Sequence, residues 1–155
     1  VLNGFLKGLV LALAKQNLEK NIINRVISRL QGIDGEGDYN FDVPDRNIKE
    51  SFVPQPDAEG FPFLCLGEVT CGASETAIRG VFTIPITIEI WGYVEKFDTP
   101  IEDALKLASD IRVAIADDEQ LNSQIIQMTF SYEVGAMEKF GIVAFKITGS
   151  FLHVI

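Results

Sequence analysis

The chain has 155 residues, enough for one domain with a sizeable core, and its 47% hydrophobic and 23% charged residues form an ordinary globular balance rather than that of a disordered chain. Acids outnumber bases 22 to 13, for a formal charge of −9; the closest thing to a basic cluster is Arg25 with Arg29, so neither a nucleic-acid footprint nor attraction to an anionic membrane is written here. Two cysteines, Cys65 and Cys71, and a single histidine, His153, make neither a disulfide framework nor a zinc set, and a reducing compartment is the simpler expectation.

The chain opens with VLNGFLKGLVLALAK. This stretch has no basic region ahead of its apolar core, unlike a secretory signal, and it is too short to cross a bilayer as a helix. Leu2, Phe5, Leu6, Leu9, Val10 and Leu13 recur at helical spacing, which predicts a helix from Leu2 to about Ala14. A helix this apolar has to dock, either on its own core or on a neighbouring subunit. A second helix is expected over Leu18 to Gln31, where Leu18, Ile22, Val26 and Leu30 repeat every four residues with Ile23 and Ile27 beside them, and Gly32 ends it.

The stretch GIDGEGDYNFD, Gly32 to Asp42, then concentrates acids and glycines. A calcium loop needs oxygens at positions one, three and five, Gly at six and a bidentate Glu at twelve. Counting from Asp34 places Tyr39 and Asp45 at the last two positions; counting from Asp38 places Val43 and Lys49 there. Neither frame fits, and the expectation is a Gly-rich turn between a helix and a strand, with no metal or other cofactor.

Asp45 to Gly60 reads as a surface loop with a short strand around Asn47 to Phe52. Phe61 to Val69 has strand length. Thr70 to Gly80 is small and polar, a long loop or flexible hairpin tip. Val81 to Val94 is the strongest strand: Phe82, Ile84, Ile86, Ile88 and Ile90 face one side, and Thr83, Thr87 and Glu89 the other. Pro85 lacks a ladder donor, which predicts an edge position or a bulge there. Trp91 and Tyr93 fall on the face opposite the isoleucines, as a protein contact or under a loop of the same chain.

Asp98 to Asp118 spells a helix with its start marked by Thr99 as N-cap, Pro100 at the first position and Glu102 completing a capping box. Ile101, Leu105, Ala108, Ile111 and Ile115 are its expected buried stripe, with Leu105 and Ile111 meeting Ile86 and Ile88. Two strands follow. Ile126, Met128, Phe130, Tyr132 and Val134 share a face of the first, and Val143, Phe145, Ile147 and Phe151 a face of the second, joined by a hairpin at GAMEKFG. Runs of strands with segregated helices indicate a single α+β domain, mostly antiparallel sheet packed under helices.

Catalytic signatures are sparse. His153 is near the end of the chain on an apolar strand face and reads as structural, and there is neither a phosphate loop nor a G-x-G-x-x-G. Asp117, Asp118 and Glu119 follow a helix C-terminus, where negative charge opposes the dipole; they are a candidate contact surface or a solvated loop.

The ordered set of NIINRVISRL, GDYNFDV, FPFLCLGEV, IPITIEIWGYV, EDALKLASDIRVAI with ADDEQL, and a terminal hairpin resembles the tail terminator (tail completion) proteins of long-tailed bacteriophages. The resemblance covers about Asn17 to Ile155. Residues 1–16 fall outside it as an apolar helical extension before a domain spanning 17–155. It implies a non-catalytic virion protein, made in the host cytoplasm, of which six copies form a ring. Such a ring caps the tail tube and joins it to a head-side connector or stopper protein. DNA passes through without specific binding, and a membrane has no part. The net acidity suits a channel that should not hold DNA, since phosphate contacts from Lys or Arg would add affinity. The assembly interface is expected on the arm between two strands, at Thr70, Gly72, Ser74, Glu75 and Thr76, and at Asp117, Asp118 and Glu119. Two other readings stand beside this one. One is a different phage neck or tail connector subunit. The other is a small-molecule-binding or enzymatic α+β domain that uses the acid-rich loop.

Overall fold

The computed structural model describes residues 18–54, 60–95, 98–118, 121, 125–138 and 140–155. The expected helix Leu2 to Ala14 lies outside them. The first described helix, α1, spans Leu18–Leu30 and buries Ile22, Ile23, Val26 and Leu30, the stripe its four-residue repeat predicts. A 3-10 turn at Asp45–Asn47 leads into β1, Ile48–Lys49. Then come β2 (Phe63–Cys71), β3 (Ser74–Glu75), β4 (Val81–Glu95), α2 (Pro100–Ala116), β5 (Ile126–Ala136) and β6 (Phe140–Val154). The strands form one mixed sheet in the order β1-β2-β4-β6-β5, with β3 paired to the start of β4. Only the short β1–β2 pair is parallel. The result is the single α+β domain expected.

The strand β4 organises this sheet. Its period-two pattern sends Ile84, Ile86, Ile88 and Ile90 into one core together with Val26 and Leu30 of α1 and Leu107, Ile111 and Ile115 of α2. Both helices therefore cover the same face. On the other face Tyr93 packs with Phe63, Cys65 and Phe140, and Val53, Phe61 and Trp91 close over them. Phe52 meets Trp91 edge-on at 5.6 Å, and the Val53 amide donates to Cys65 Sγ. The loop after β1 thus covers the aromatics, so that face of the sheet is shielded here by the chain itself. Gly67 makes room for this: any side chain there would collide with Trp91 and Glu89.

Four expectations need correction. Pro85 is neither at an edge nor in a bulge. β4 lies between β2 and β6, and every residue from Val81 to Glu95 keeps register with β6. The Pro85 carbonyl accepts from Gly72, on the β2 side, and in an extended residue the N and the O point the same way. The missing donor thus faces the gap between the end of β2 and the start of β3, where no ladder bond is lost.

The stripe of α2 is rotated from the one expected. Ala104, Leu107, Ala108, Ile111, Ala114 and Ile115 are buried, whereas Ile101 and Leu105 are 44% and 46% exposed. The i, i+3, i+4, i+7 series through small alanines wins because α2 lies close on the sheet: Leu107 sits directly over Gly92. Leu105 therefore does not meet Ile86 and Ile88. Thr99 is the N-cap and Pro100 opens the helix, but the Thr99 side chain makes no capping bond, so the capping box does not form.

In β5 the shared face holds for Met128, Phe130, Tyr132 and Val134 but not for Ile126, which is exposed. A register shift lies between Ile126 and Thr129, and Gln127 has φ 55°. The extra residue turns Ile126 outward, and Ile125 fills the core against Gly149 in its place.

Truncating Leu107 or Ile111 to Ala should cost about 2–5 kcal/mol in chemical denaturation, as both are fully buried. Leu105→Ala should cost less than about 1 kcal/mol, since nearly half of Leu105 already meets water. Equal losses at Leu105 and Leu107 would contradict the rotated stripe.

Candidate assembly surfaces

The acid-rich turn comes first, because its context is now defined. Asp34 and Asp42 form an isolated antiparallel bridge, and Gly35 and Gly37 take φ of 79° and 60°, left-handed values that favour Gly. Asp34 accepts from the Glu36 amide, an Asx turn. The far side of the turn is held by Asp110 of α2. Its Oδ1 accepts from the Asn40 amide and Asn40 Nδ2 at 2.8 and 2.9 Å, and its Oδ2 from the Phe41 amide at 2.9 Å. Asp110 is wholly buried. Burial raises its pKa and the three donors oppose that rise. The turn is thus a structural joint between α1 and the sheet, clamped from above. Among the described residues no group of three or more His, Cys, Asp or Glu is placed to hold a metal ion.

Sequence reasoning passed over Asp110. Its signal was an acid flanked by Leu107, Ile111 and Ala114, inside the buried surface of a helix. A buried carboxylate persists only where donors meet it.

The candidate contact acids after α2 separate into different environments. Asp117 is exposed. Asp118 is buried, accepting from Arg25 Nε at 2.5 Å and Arg25 Nη2 at 3.0 Å, and from the Leu121 amide at 3.3 Å. It therefore cannot serve as an open contact residue, and the expectation is corrected: the guanidinium of α1 occupies it. Glu119 lies outside the described residues. Arg29 donates to the Ala114 carbonyl at 3.0 Å, so two α1 cations stand at the negative end of α2 and offset the charge there. The bond from Arg25 holds the Asp118 carboxyl below its ordinary range.

The arm expected between two strands is a folded hairpin. Ser74 pairs with Thr83 and Glu75 with Phe82. Its tip is closed by bonds from the Thr76 amide to the Val81 carbonyl, from the Val81 amide to the Ile78 carbonyl, and between the Thr76 hydroxyl and Ile78. The Gly80 amide donates to Glu75 Oε1. The backbone is therefore held by the arm itself, and what it offers outward is side chains. Thr70, Cys71, Gly72, Ser74 and Glu75 are exposed, Thr76 half-buried, and Ile78 at the tip is 67% exposed. Burial raises the Cys71 thiol, and the nearby charge of Glu19 raises it further.

The opposite edge of the sheet is different. There, among the described residues, β5 pairs only with β6, and none of them covers its outer backbone from Ile126 to Ala136. Ile101 and Leu105 project from the flank of α2 on the far side from Asp110, and α2 packs over β4, β6 and β5. A shallow concavity bounded by Asp98, Thr99, Pro100, Ile101, Glu102 and Leu105 lies beside them. Tyr132 stacks on Phe145 at 5.7 Å and still keeps 40% of its surface open. Neither Ile101 nor Leu105 was expected at the surface.

No family model matches this chain, and no curated protein matches it. Among the described residues no helix is long and apolar enough to cross a membrane.

The two buried acids make opposite contributions to stability as pH changes. Asp118, with its pKa lowered from 3.8, stabilises the fold above that value and loses this contribution as pH falls through its folded pKa. Asp110, with its pKa raised, binds its proton more tightly folded than unfolded, so its contribution declines as pH rises above 3.8. Arg25→Met should therefore flatten the acid limb of the stability profile, measured by denaturation between about pH 2 and 5, which brackets the carboxylate range. An unchanged limb would mean that Asp118 is held by other groups. Asp110→Ala strands three donors, and should cost roughly 2–3 kcal/mol and speed amide exchange at Asn40 and Phe41. Exchange at those two amides no faster than in the parent would contradict the clamp.

Proposed function

We propose that this chain is a structural, non-catalytic subunit that assembles head-to-tail into a ring at the end of a phage tail tube. On this reading the ring has six copies, caps the tube, meets a head-side connector or stopper protein, and lets DNA pass. The resemblance of Asn17 to Ile155 to tail terminator proteins supplies the particular role. One observation supports a ring in general. The sheet carries two unlike open surfaces at opposite edges: the arm with exposed Ile78 on the β2 side, and β5 with Ile101 and Leu105 on the other. A head-to-tail contact requires two different patches, and a closed ring follows when the rotation between copies closes. Strand addition at the open side of β5 is one physical means of making such a contact. The net charge of −9 per chain gives a ring an acidic character that DNA would not adhere to. A neck or connector subunit is the neighbouring alternative, distinguished by which particle the ring binds.

Native mass spectrometry on the full chain should find a six-copy species. Ile78→Asp and Leu105→Asp should each leave the circular dichroism spectrum unchanged, because both side chains are exposed, and should each shift the population to monomer. A parent protein that stays monomeric at tens of micromolar, with and without purified tail tubes, would overturn the ring. Rings that bind connectors but not tubes would favour the alternative.

A further inference from the structure

The arm ends in an apolar residue followed by a cation, Ile78 and Arg79, and both are exposed. The acid nearest to them in the arm's sequence, Glu75, is already engaged: its Oε1 accepts from the Gly80 amide. Among the described residues Arg79 makes no ion pair, so its guanidinium stands at the tip with donors open to a partner. Gly80, with φ 82°, makes the turn behind it. The tip therefore presents one apolar side chain and one positive charge in a fixed order, on a backbone closed by its own bonds.

The concavity at the start of α2 is the chemical counterpart. It holds about 450 Å3, with Pro100, Ile101 and Leu105 as its apolar part and Asp98 and Glu102 as its acids. Ile101 and Leu105 lie one turn apart on one flank of α2, with Glu102 beside them toward solvent. A cation already stands there: Lys106 Nζ is 3.8 Å from Glu102 Oε1, and both side chains are exposed. Such a long, solvated pair holds little, so an incoming guanidinium can take Glu102 through two parallel bonds. Arg112 lies two turns beyond Leu105 on the same flank, roughly 10 Å along the helix, and repels a cationic tip from that direction.

The arm of a chain cannot fill that chain's own concavity. The bond from the Thr76 amide to the Val81 carbonyl keeps the tip at the Val81 end of β4. Leu107 sits over Gly92, and the concavity lies further on, at the start of α2. From Val81 to Gly92 the strand rises about 36 Å. The fit is therefore one between copies. Each chain carries a net charge of −9, so two copies repel over most of their surface. A cation and an isoleucine brought against two acids, an isoleucine and a leucine supply both opposite charge and apolar cover. We propose that Ile78 and Arg79 of one copy seat in the concavity of the next, Ile78 against Ile101 and Leu105, and Arg79 on Glu102 and Asp98. This rests on the head-to-tail assembly proposed above and adds the charge pair that sets its register.

The test isolates a single contact. Ile78→Asp leaves a full chain with its concavity intact and its arm disabled, and Leu105→Asp leaves the reverse. Mixed, the two variants should form one contact and stop at a 1:1 dimer in sedimentation velocity, with one dissociation constant. Arg79→Glu added to the Leu105→Asp chain should weaken that dimer about 10-fold, and so should Glu102→Arg added to the Ile78→Asp chain. Both changes combined should return the constant to within about threefold of the starting mixture, since the pair is reversed rather than lost. All four side chains are exposed, so circular dichroism should be unchanged throughout. Rings in the parent with no dimer in the mixture overturn this pairing and leave the ring standing. So does a dimer indifferent to both charge changes, or one that each change weakens without recovery when they are combined. A parent that never assembles overturns the pairing and the ring together.

Discussion

The rest of the structure depends on the fifteen-residue ladder between β4 and β6, in which every residue from Val81 to Glu95 has a partner. The unbroken register fixes which side chains share a face over the whole length of the sheet. One face becomes the isoleucine surface on which both helices sit, and the other carries the aromatic cluster under the loop after β1. A slip of one residue would exchange the two faces, sending threonines into the core. The proline in β4 is tolerated only because its missing donor faces away from this ladder.

Polar ties then fix the helices over that surface. Arg25 and Arg29 reach from α1 to the end of α2, and Asp110 reaches from α2 to the turn that follows α1. These bonds set the pairing of α1 with α2 where apolar packing alone, largely Leu, Ile and Ala, would allow sliding. They also account for the acidity of the turn. Asp34 is spent on a local turn bond, and Asp38 and Asp42 stay exposed, so the acids of GIDGEGDYNFD serve solubility and turn geometry while the clamp itself comes from Asp110.

Periodicity read the architecture well, because the strands and α1 are long enough for their patterns to be unambiguous. It misread features set by neighbours distant in sequence. The α2 stripe turned on alanines that carry no strong hydrophobic signal, and on Gly92 lying beneath Leu107. The outward turn of Ile126 depended on a bulge at Gln127 and on the space above Gly149. The burial of Asp118 depended on an arginine 93 residues away. Of the candidate interface, the exposure of the arm was legible from its small polar composition, but its internal bonding was not. The flank of α2 was hidden because Leu105 looked like a core residue by spacing.

The hairpin form of the arm changes how it can act. A flexible loop that orders on binding loses conformational freedom at that moment, whereas an arm already closed by its own hydrogen bonds has met that cost in folding. Rigid presentation of one exposed isoleucine suits a contact that repeats identically around a closed assembly, since each copy must meet the next at the same angle. In the proposed ring the edge of β5 would be the less constrained partner: its bulge at Gln127 and its charge at Glu133 oppose indiscriminate strand pairing. A surface that discourages promiscuous pairing at one edge, and offers a fixed apolar tip at the other, favours one defined contact over open-ended aggregation.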